Sequence, residues 1–144
     1  MKKCLLSFVF FLFFSSSSFS EVKLTKLLDQ LNSPWSLTIV EEQTYLITEK
    51  SGNLVLFNKA NNTRKNIKHN LNILEDGQGG LLDVLYHQGY VYVSYSEDRG
   101  SGTSSTSAAR AKFNKSELNF TNIFQANPPI NSGYHFGSRL VIKG

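Results

Sequence analysis

Leu81-Leu-Asp-Val-Leu-Tyr-His-Gln-Gly-Tyr-Val-Tyr-Val-Ser-Tyr-Ser96 reads as a strand, a turn and a second strand. Leu81 to Tyr86 is mostly apolar, His87-Gln88-Gly89 carries turn residues, and Tyr90 to Ser96 is rich in Tyr and Val. β-Branched and aromatic residues suit a pleated, half-buried surface, and glycine suits the reversal between two strands. The same grammar extends in both directions. Upstream, Trp35 to Val40, Thr44 to Glu49 and Leu54 to Phe57 are strand-like, with Glu41-Glu42-Gln43, Ser51-Gly52-Asn53 and Asn58 to Thr63 as turns. Downstream, Ser105 to Phe113 and Asn119 to Phe124 follow. The hydroxyl-rich Ser101 to Ser107 reads as a flexible loop. Lys23 to Leu31 comes nearest to a helical stripe, and a first strand accounts for it equally well.

Three apolar runs start alike. Trp35-Ser-Leu-Thr-Ile, Leu81-Leu-Asp-Val-Leu and Arg139-Leu-Val-Ile begin 46 and 58 residues apart. Intervals of about 40 to 50 residues with about four strands each are the mark of propeller blades. The spacing predicts an all-β chain, either a set of blades or an irregular β-sandwich. In a propeller the first strand of each blade lines the channel, so the loops leading into those strands reach its mouth. Three loops hold that place: Asn32-Ser33-Pro34, Glu75 to Gly80 and Ser132 to Ser138.

The N-terminus has a different composition. Lys2 and Lys3 precede an uncharged apolar run from Cys4 to Phe14, with Ser18 and Ser20 placed for cleavage before Glu21. This is a secretory signal pattern, shorter than the roughly 20 residues a bilayer span needs. An uncleaved anchor is the alternative reading. The expectation is a signal peptide at 1–20, a periplasmic or secreted chain at 21–144, and no stable membrane span after cleavage. Of the 144 residues, removal of those 20 leaves 13 basic and 11 acidic side chains, net +2, and takes the one cysteine. A disulfide framework and a multi-thiolate zinc site are thereby excluded. Arg64, Lys65, Lys68 and His69 form the one basic cluster and read as a solvated hairpin. No groove-reading helix or RNA-stacking motif accompanies it, so no nucleic-acid partner is expected.

Candidate chemistry lies in two of the three loops. Gly77-Gln78-Gly79-Gly80 lacks the phosphate-cradle pattern and leads into a strand, not a helix. Gln78 can donate and accept hydrogen bonds there, as a ligand contact or simply as a turn residue. His135, within Ser132-Gly-Tyr-His-Phe-Gly-Ser-Arg139, is placed to serve as a general base or to be structural. His69 and His87 fall in expected turns without metal-ligand spacing, and no metal site is assigned. The acidic pairs Glu41-Glu42, Glu75-Asp76 and Glu97-Asp98 fall at expected strand ends and read as solvated turns.

Leu31-Asn-Ser-Pro-Trp-Ser-Leu, Leu46-Ile-Thr-Glu-Lys, Gly77-Gln-Gly-Gly-Leu-Leu-Asp-Val, Val91-Tyr-Val-Ser-Tyr and His135-Phe-Gly-Ser-Arg-Leu-Val stand in one order along residues 27 to 142. Together they resemble the soluble glucose/sorbosone dehydrogenase family, and within it the aldose sugar dehydrogenase branch. The resemblance implies a six-bladed β-propeller that binds pyrroloquinoline quinone (PQQ) with calcium and oxidises the anomeric carbon of aldoses to lactones, passing electrons to an external acceptor. It implies that His135 is the catalytic base and that Gln78 lies beside cofactor and substrate. It matches Arg139 to a motif arginine, a cofactor contact or a structural one. Glucose-specific members carry an acid before the histidine, where this chain has Tyr134.

The resemblance also places the cofactor-clamping basic residues and the calcium ligands beyond the equivalent of residue 144. A ring of six such blades needs about 250 to 300 residues. The chain therefore reads as the N-terminal part of a longer product: about two blades and the first strand of a third, inactive alone. It is expected to leave strand edges and an apolar face uncovered. A non-enzymatic exported propeller that binds a ligand or protein at the same mouth is the competing reading.

Overall fold

The computed structural model describes residues 22–137 and 139–143, and the expected signal peptide lies outside them. Two four-stranded antiparallel sheets make up the fold. The first takes its strands in chain order: β1 (Pro34–Glu41), β2 (Thr44–Glu49), β3 (Leu54–Asn58) and β4 (Thr63–Asn66). A short strand, β5 (Lys68–His69), follows. The second sheet contains β6 (Leu81–His87), β7 (Tyr90–Gly100) and β8 (Thr103–Lys112). Its outer strand is β10 (Thr121–Gln125), reached after β9 (Glu117–Leu118), which pairs in parallel with β5.

Turn chemistry sets the strand order. Gln88 and Gly89 between β6 and β7 have φ of 47° and 81°, and Ser101 and Gly102 between β7 and β8 have 52° and 70°. Consecutive positive φ values in a two-residue loop match the right-handed twist of the flanking strands. Each long hairpin follows from such a turn. The sheets meet through one core that includes Leu46, Leu54 and Leu56 from the first and Leu81, Val91, Val93 and Tyr95 from the second. Leu118 and Phe120 close one end. Asn70 clamps Phe120 there, donating to its carbonyl at 3.0 Å and accepting from its amide at 2.8 Å. β1 packs beside β6, so the first strands of the two sheets are neighbours.

The strand expectations hold closely for β1, β2, β3, β6 and β7, and five other readings are corrected. Ser101 to Ser107 is not a flexible loop, because β8 begins at Thr103 and pairs with β7 along its length. Its serines are small enough to be covered, and Ser104, Ser105 and Ser107 are buried. Glu97 and Asp98 lie inside β7 rather than in a turn. Glu97 accepts hydrogen bonds from Ser107 Oγ (2.5 Å), Gln125 Nε2 (2.6 Å) and Asn122 Nδ2 (3.1 Å), joining three strands. The basic cluster is only partly solvated. Arg64 on exposed β4 reaches buried Glu49 at 3.4 Å and donates to the carbonyl of Gln30 at 3.0 Å. Residues 139–143 form no strand, since no backbone ladder pairs with them among the described residues. Lys23 to Leu31 forms neither helix nor strand, and Leu28 and Leu31 lie over Ile47, Val55 and Phe57.

Two groups in the second sheet tie its stability to pH. Burial alone would raise the Glu97 carboxyl. The hydrogen bonds from Gln125, Ser107 and Asn122, with the charge of Arg99, outweigh it and hold Glu97 below its ordinary value of 4.5. Burial first, then the charge of Glu97, push the Tyr95 phenol from 10.0 up to about 12, against its hydrogen bond to Asn122. Glu97 binds its proton more weakly in the fold than in the unfolded chain. Its contribution is therefore whole above the ordinary carboxylate range and is lost as pH falls through the folded value. Tyr95 holds its proton more tightly, so its contribution is whole below pH 10 and is lost as pH climbs towards about 12. Urea midpoints are expected to fall at both extremes. Glu97→Gln should flatten the acid limb and Tyr95→Phe the alkaline one. Limbs unchanged in both variants would refute the assignment.

Gly80 is the point at which the sheets touch backbone to backbone. Its φ is +145°, and a Cβ there would collide with the carbonyl oxygen of Lys50. That same oxygen accepts from the amide of Leu81 at 3.0 Å. Gly80→Ala is expected to cost about 2 kcal/mol or more, from strain and collision together. Gly89→Ala, at φ +81° but in open space, should cost only about 1 kcal/mol. Equal urea midpoints for the two variants would remove the collision argument.

Candidate functional site

Three loops converge at one end of the paired sheets, and Lys50 is the link between the first two. Its backbone amide donates to the carbonyl of Ser33 at 3.1 Å. Its ammonium group donates to the carbonyl of Gly77 at 2.6 Å. Behind it, the buried Glu49 carboxylate accepts from the Asn32 amide at 2.8 Å and from Asn53 Nδ2 at 2.8 Å. The residues before β1 are thus fastened to the end of β2.

The second and third loops are joined more closely. The amide of Gln78 donates to the carbonyl of Gly133 at 2.7 Å, and the amide of His135 donates to Gln78 Oε1 at 3.1 Å. Glycine makes this approach possible. A Cβ on Gly77, whose φ is +53°, would collide with the Gly133 carbonyl, and one on Gly79 would stand 2.9 Å from the Phe136 ring. Because the donor to Gln78 is a backbone N–H, the accepting atom must be the side-chain oxygen, which settles the orientation of the amide. Its two amide hydrogens then have no acceptor among the described residues and are free for a ligand.

His135 sits at φ 69° with its side chain exposed. The left-handed region is uncommon for residues other than glycine, though histidine is enriched among those that enter it. It costs on the order of 1–2 kcal/mol and persists only where neighbours impose it. Both neighbours of the loop do so. Upstream, Gly133 and His135 are bonded to Gln78. Downstream, the amide of Leu140 donates to Asp83 Oδ2 at 2.7 Å and Arg139 Nη1 to Asp83 Oδ1 at 3.1 Å. The imidazole is left facing solvent with Tyr134 beside it, ring centroids 6.4 Å apart.

Asp83 is a site residue that the sequence reading passed over. It is buried in β6, and Ser36 Oγ of β1 donates to its Oδ1 at 2.6 Å. The available signal was an acid inside an otherwise apolar run, since an ionised carboxylate is almost never buried unless paired. Of its partners, Arg139 is the weakest in energy. The Arg139 side chain is 71% exposed, and a pair with so much water is worth about 0–1 kcal/mol. The Leu140 amide and the Ser36 hydroxyl do more to satisfy the buried oxygens. Arg139 Nη1 donates to Ser36 Oγ at 3.4 Å as well as to Asp83 Oδ1. Arg139 also lines a hollow of about 440 Å³ with Pro34, Trp35 and Leu37. Gln78, His135 and Arg139 therefore lie on segments held to one another, with His135 between the two anchors of its loop.

Residues 31–144 match the Glucose / Sorbosone dehydrogenase family. The chain is 28% identical over 132 residues to aldose sugar dehydrogenase YliI of Escherichia coli (strain K12), covering 85% of this chain and 36% of that protein. A crystal structure of a glucose dehydrogenase superposes with a TM-score of 0.74 at 32% identity, covering 80% of this chain and 36% of the other. The PQQ-bound aldose sugar dehydrogenase of Streptomyces coelicolor superposes with a TM-score of 0.62 at 16% identity, covering 73% and 34%, a likeness of fold alone. The chain spans about a third of the length of these relatives. With the family's match running from Leu31 through all three loops, the chain belongs to the glucose/sorbosone dehydrogenase family.

Proposed function

We propose that the chain is the N-terminal part of an exported sugar dehydrogenase that oxidises the anomeric carbon of aldoses to lactones with PQQ. The observation that carries this reading is the pairing of Gln78 and His135. One hydrogen bond fixes the backbone of the histidine, leaves its imidazole exposed, and frees the glutamine's amide hydrogens at the same place. A binding surface has no need of an exposed base held in a left-handed conformation beside a donor.

The described residues fit part of a quinone site. Gln78 supplies amide donors, and Arg139 supplies the guanidinium nitrogens not engaged with Asp83. When bound, the quinone supplies the two-electron acceptor for the hydride from C1. This chain's own contribution is the proton: an imidazole nitrogen of neutral His135 takes it from the C1 hydroxyl, so the C1–O bond becomes a carbonyl as the C1–H bond breaks. Gln78 keeps the base oriented through the His135 amide. Calcium is not fitted here, since among the described residues no three His, Cys, Asp or Glu side chains gather. Its ligands, the remaining basic clamps and the external electron acceptor belong to the rest of the protein in this reading.

The same reading treats the two four-stranded sheets as two blades of a six-bladed ring. It takes residues 1–20 as a signal peptide and the mature protein as periplasmic or secreted, on the strength of Lys2, Lys3 and the apolar run to Phe14. Among the described residues no helix is long and apolar enough to cross a membrane.

The full-length protein, supplied with PQQ and calcium, is expected to reduce a phenazine dye with aldoses. His135→Ala should lower kcat by about 10²- to 10⁴-fold, the usual worth of a general base. Its folding should be unaffected, because the imidazole is exposed. Gln78→Ala should weaken cofactor retention as well as turnover. Residues 1–144 alone should show no turnover. Sugar binding without dye reduction by the full-length holoprotein, across a panel of aldoses, would overturn the reading.

A further inference from the structure

We propose that Asp83 is a positioning residue for His135, acting through the downstream flank of its loop; this rests on reading His135 as the base. The carboxylate accepts from Ser36, Arg139 and Leu140, so it acts on His135 through the chain and not on the imidazole. It lies buried in β6 and receives donors from two directions. From the first sheet comes Ser36 Oγ at 2.6 Å. From the His135 loop come the Leu140 amide at 2.7 Å and Arg139 Nη1 at 3.1 Å. One side chain therefore ties the first strands of both sheets to the segment four to five residues beyond His135.

The tie matters because of the backbone at His135. A left-handed residue that is not glycine relaxes unless both flanks are held. The upstream flank has backbone partners, the Gln78 amide and side-chain oxygen. The downstream flank is held by the Asp83 carboxylate, through the Leu140 amide and Arg139 Nη1. If they are lost, His135 can leave φ 69° with no break in either sheet, and its imidazole swings away from the position it shares with Gln78.

Asp83→Asn keeps the volume but has only one accepting oxygen for donors on both sides. Leu140→Pro removes the loop's donor and leaves the buried acid untouched, which guards against misfolding of the first variant. Both are made in the full-length protein and read in two ways. Hydrogen exchange of residues 132–143 is expected to rise by about tenfold or more while β2 and β7 keep their protection. Turnover per bound cofactor is expected to fall by about 10- to 100-fold, the scale for a misplaced catalytic group, with KM nearly unchanged. The proposal is overturned if exchange in the loop does not change, if loop and sheets loosen together, or if the loop loosens while turnover per bound cofactor is kept. If the unmodified holoprotein oxidises no aldose, the proposed function falls, and the exchange measurement still decides whether Asp83 holds the loop.

Discussion

A polar seam between two sheets sets the arrangement of everything around it. β1 and β6 lie side by side without a shared backbone ladder, so side chains make the connection. Ser36 donates to Asp83, Thr48 Oγ1 to the carbonyl of Leu82 at 2.6 Å, and the Tyr86 amide to Thr38 Oγ1 at 3.1 Å. Each such bond contributes only about 1 kcal/mol net, but a buried group left without its partner costs about 1–3 kcal/mol. The sheets therefore have one favoured register, in which every hydroxyl finds its acceptor. Among the described residues no buried side-chain nitrogen or oxygen lacks a partner. Apolar packing supplies most of the attraction between the sheets, and the seam selects one way of meeting.

That register determines where the loops go. With β1 and β6 adjacent, the chain segments leading into them are brought to the same end, and Lys50 spans the gap between them. The third loop takes its support from outside its own residues. It is held by borrowing, from Gln78 on one flank and Asp83 on the other. Exposed loops commonly carry function on a rigid support. Here the support is the seam, whose carboxylate also serves as a loop anchor. Packing between sheets and placement of the candidate base are in this way linked through one residue.

Much of this was legible in the residues. Alternation and turn chemistry were enough for β6, the Gln88-Gly89 turn and β7, because local propensity and tertiary pairing agree there. Gln78 and His135 were visible as polar side chains among glycines and aromatics. The misreadings share a cause: side chains whose meaning depends on distant partners. Serines 104, 105 and 107 look like loop residues until strands on either side cover them. Glu97 looks like a turn acid until Gln125 and Asn122, more than 20 residues away, donate to it. Asp83 stands in plain view within Leu81-Leu-Asp-Val84. Its weight comes from Ser36 and Leu140, each about 50 residues distant along the chain, and no local pattern reports such a meeting.

β1 shows how far the local pattern can still be pressed. Its residues alternate, but in the opposite sense to a surface strand. Ser36 and Thr38 face the seam, whereas Trp35, Leu37 and Ile39 lie on the other face, with Leu37 and Ile39 about 60% exposed. A half-solvated antiparallel strand would turn its hydroxyls to water and its aliphatics inward. Part of the apolar face continues under Leu28 and Leu31, which cover Ile47 but not Ile39. Fully covering a Leu or Ile side chain is worth about 1.5–3 kcal/mol. The first strand is therefore composed for burial on both faces: a seam of hydroxyls towards the second sheet and an aliphatic surface towards another layer. In the proposed ring, that layer is a neighbouring blade, and the strand's composition is then consistent on both sides.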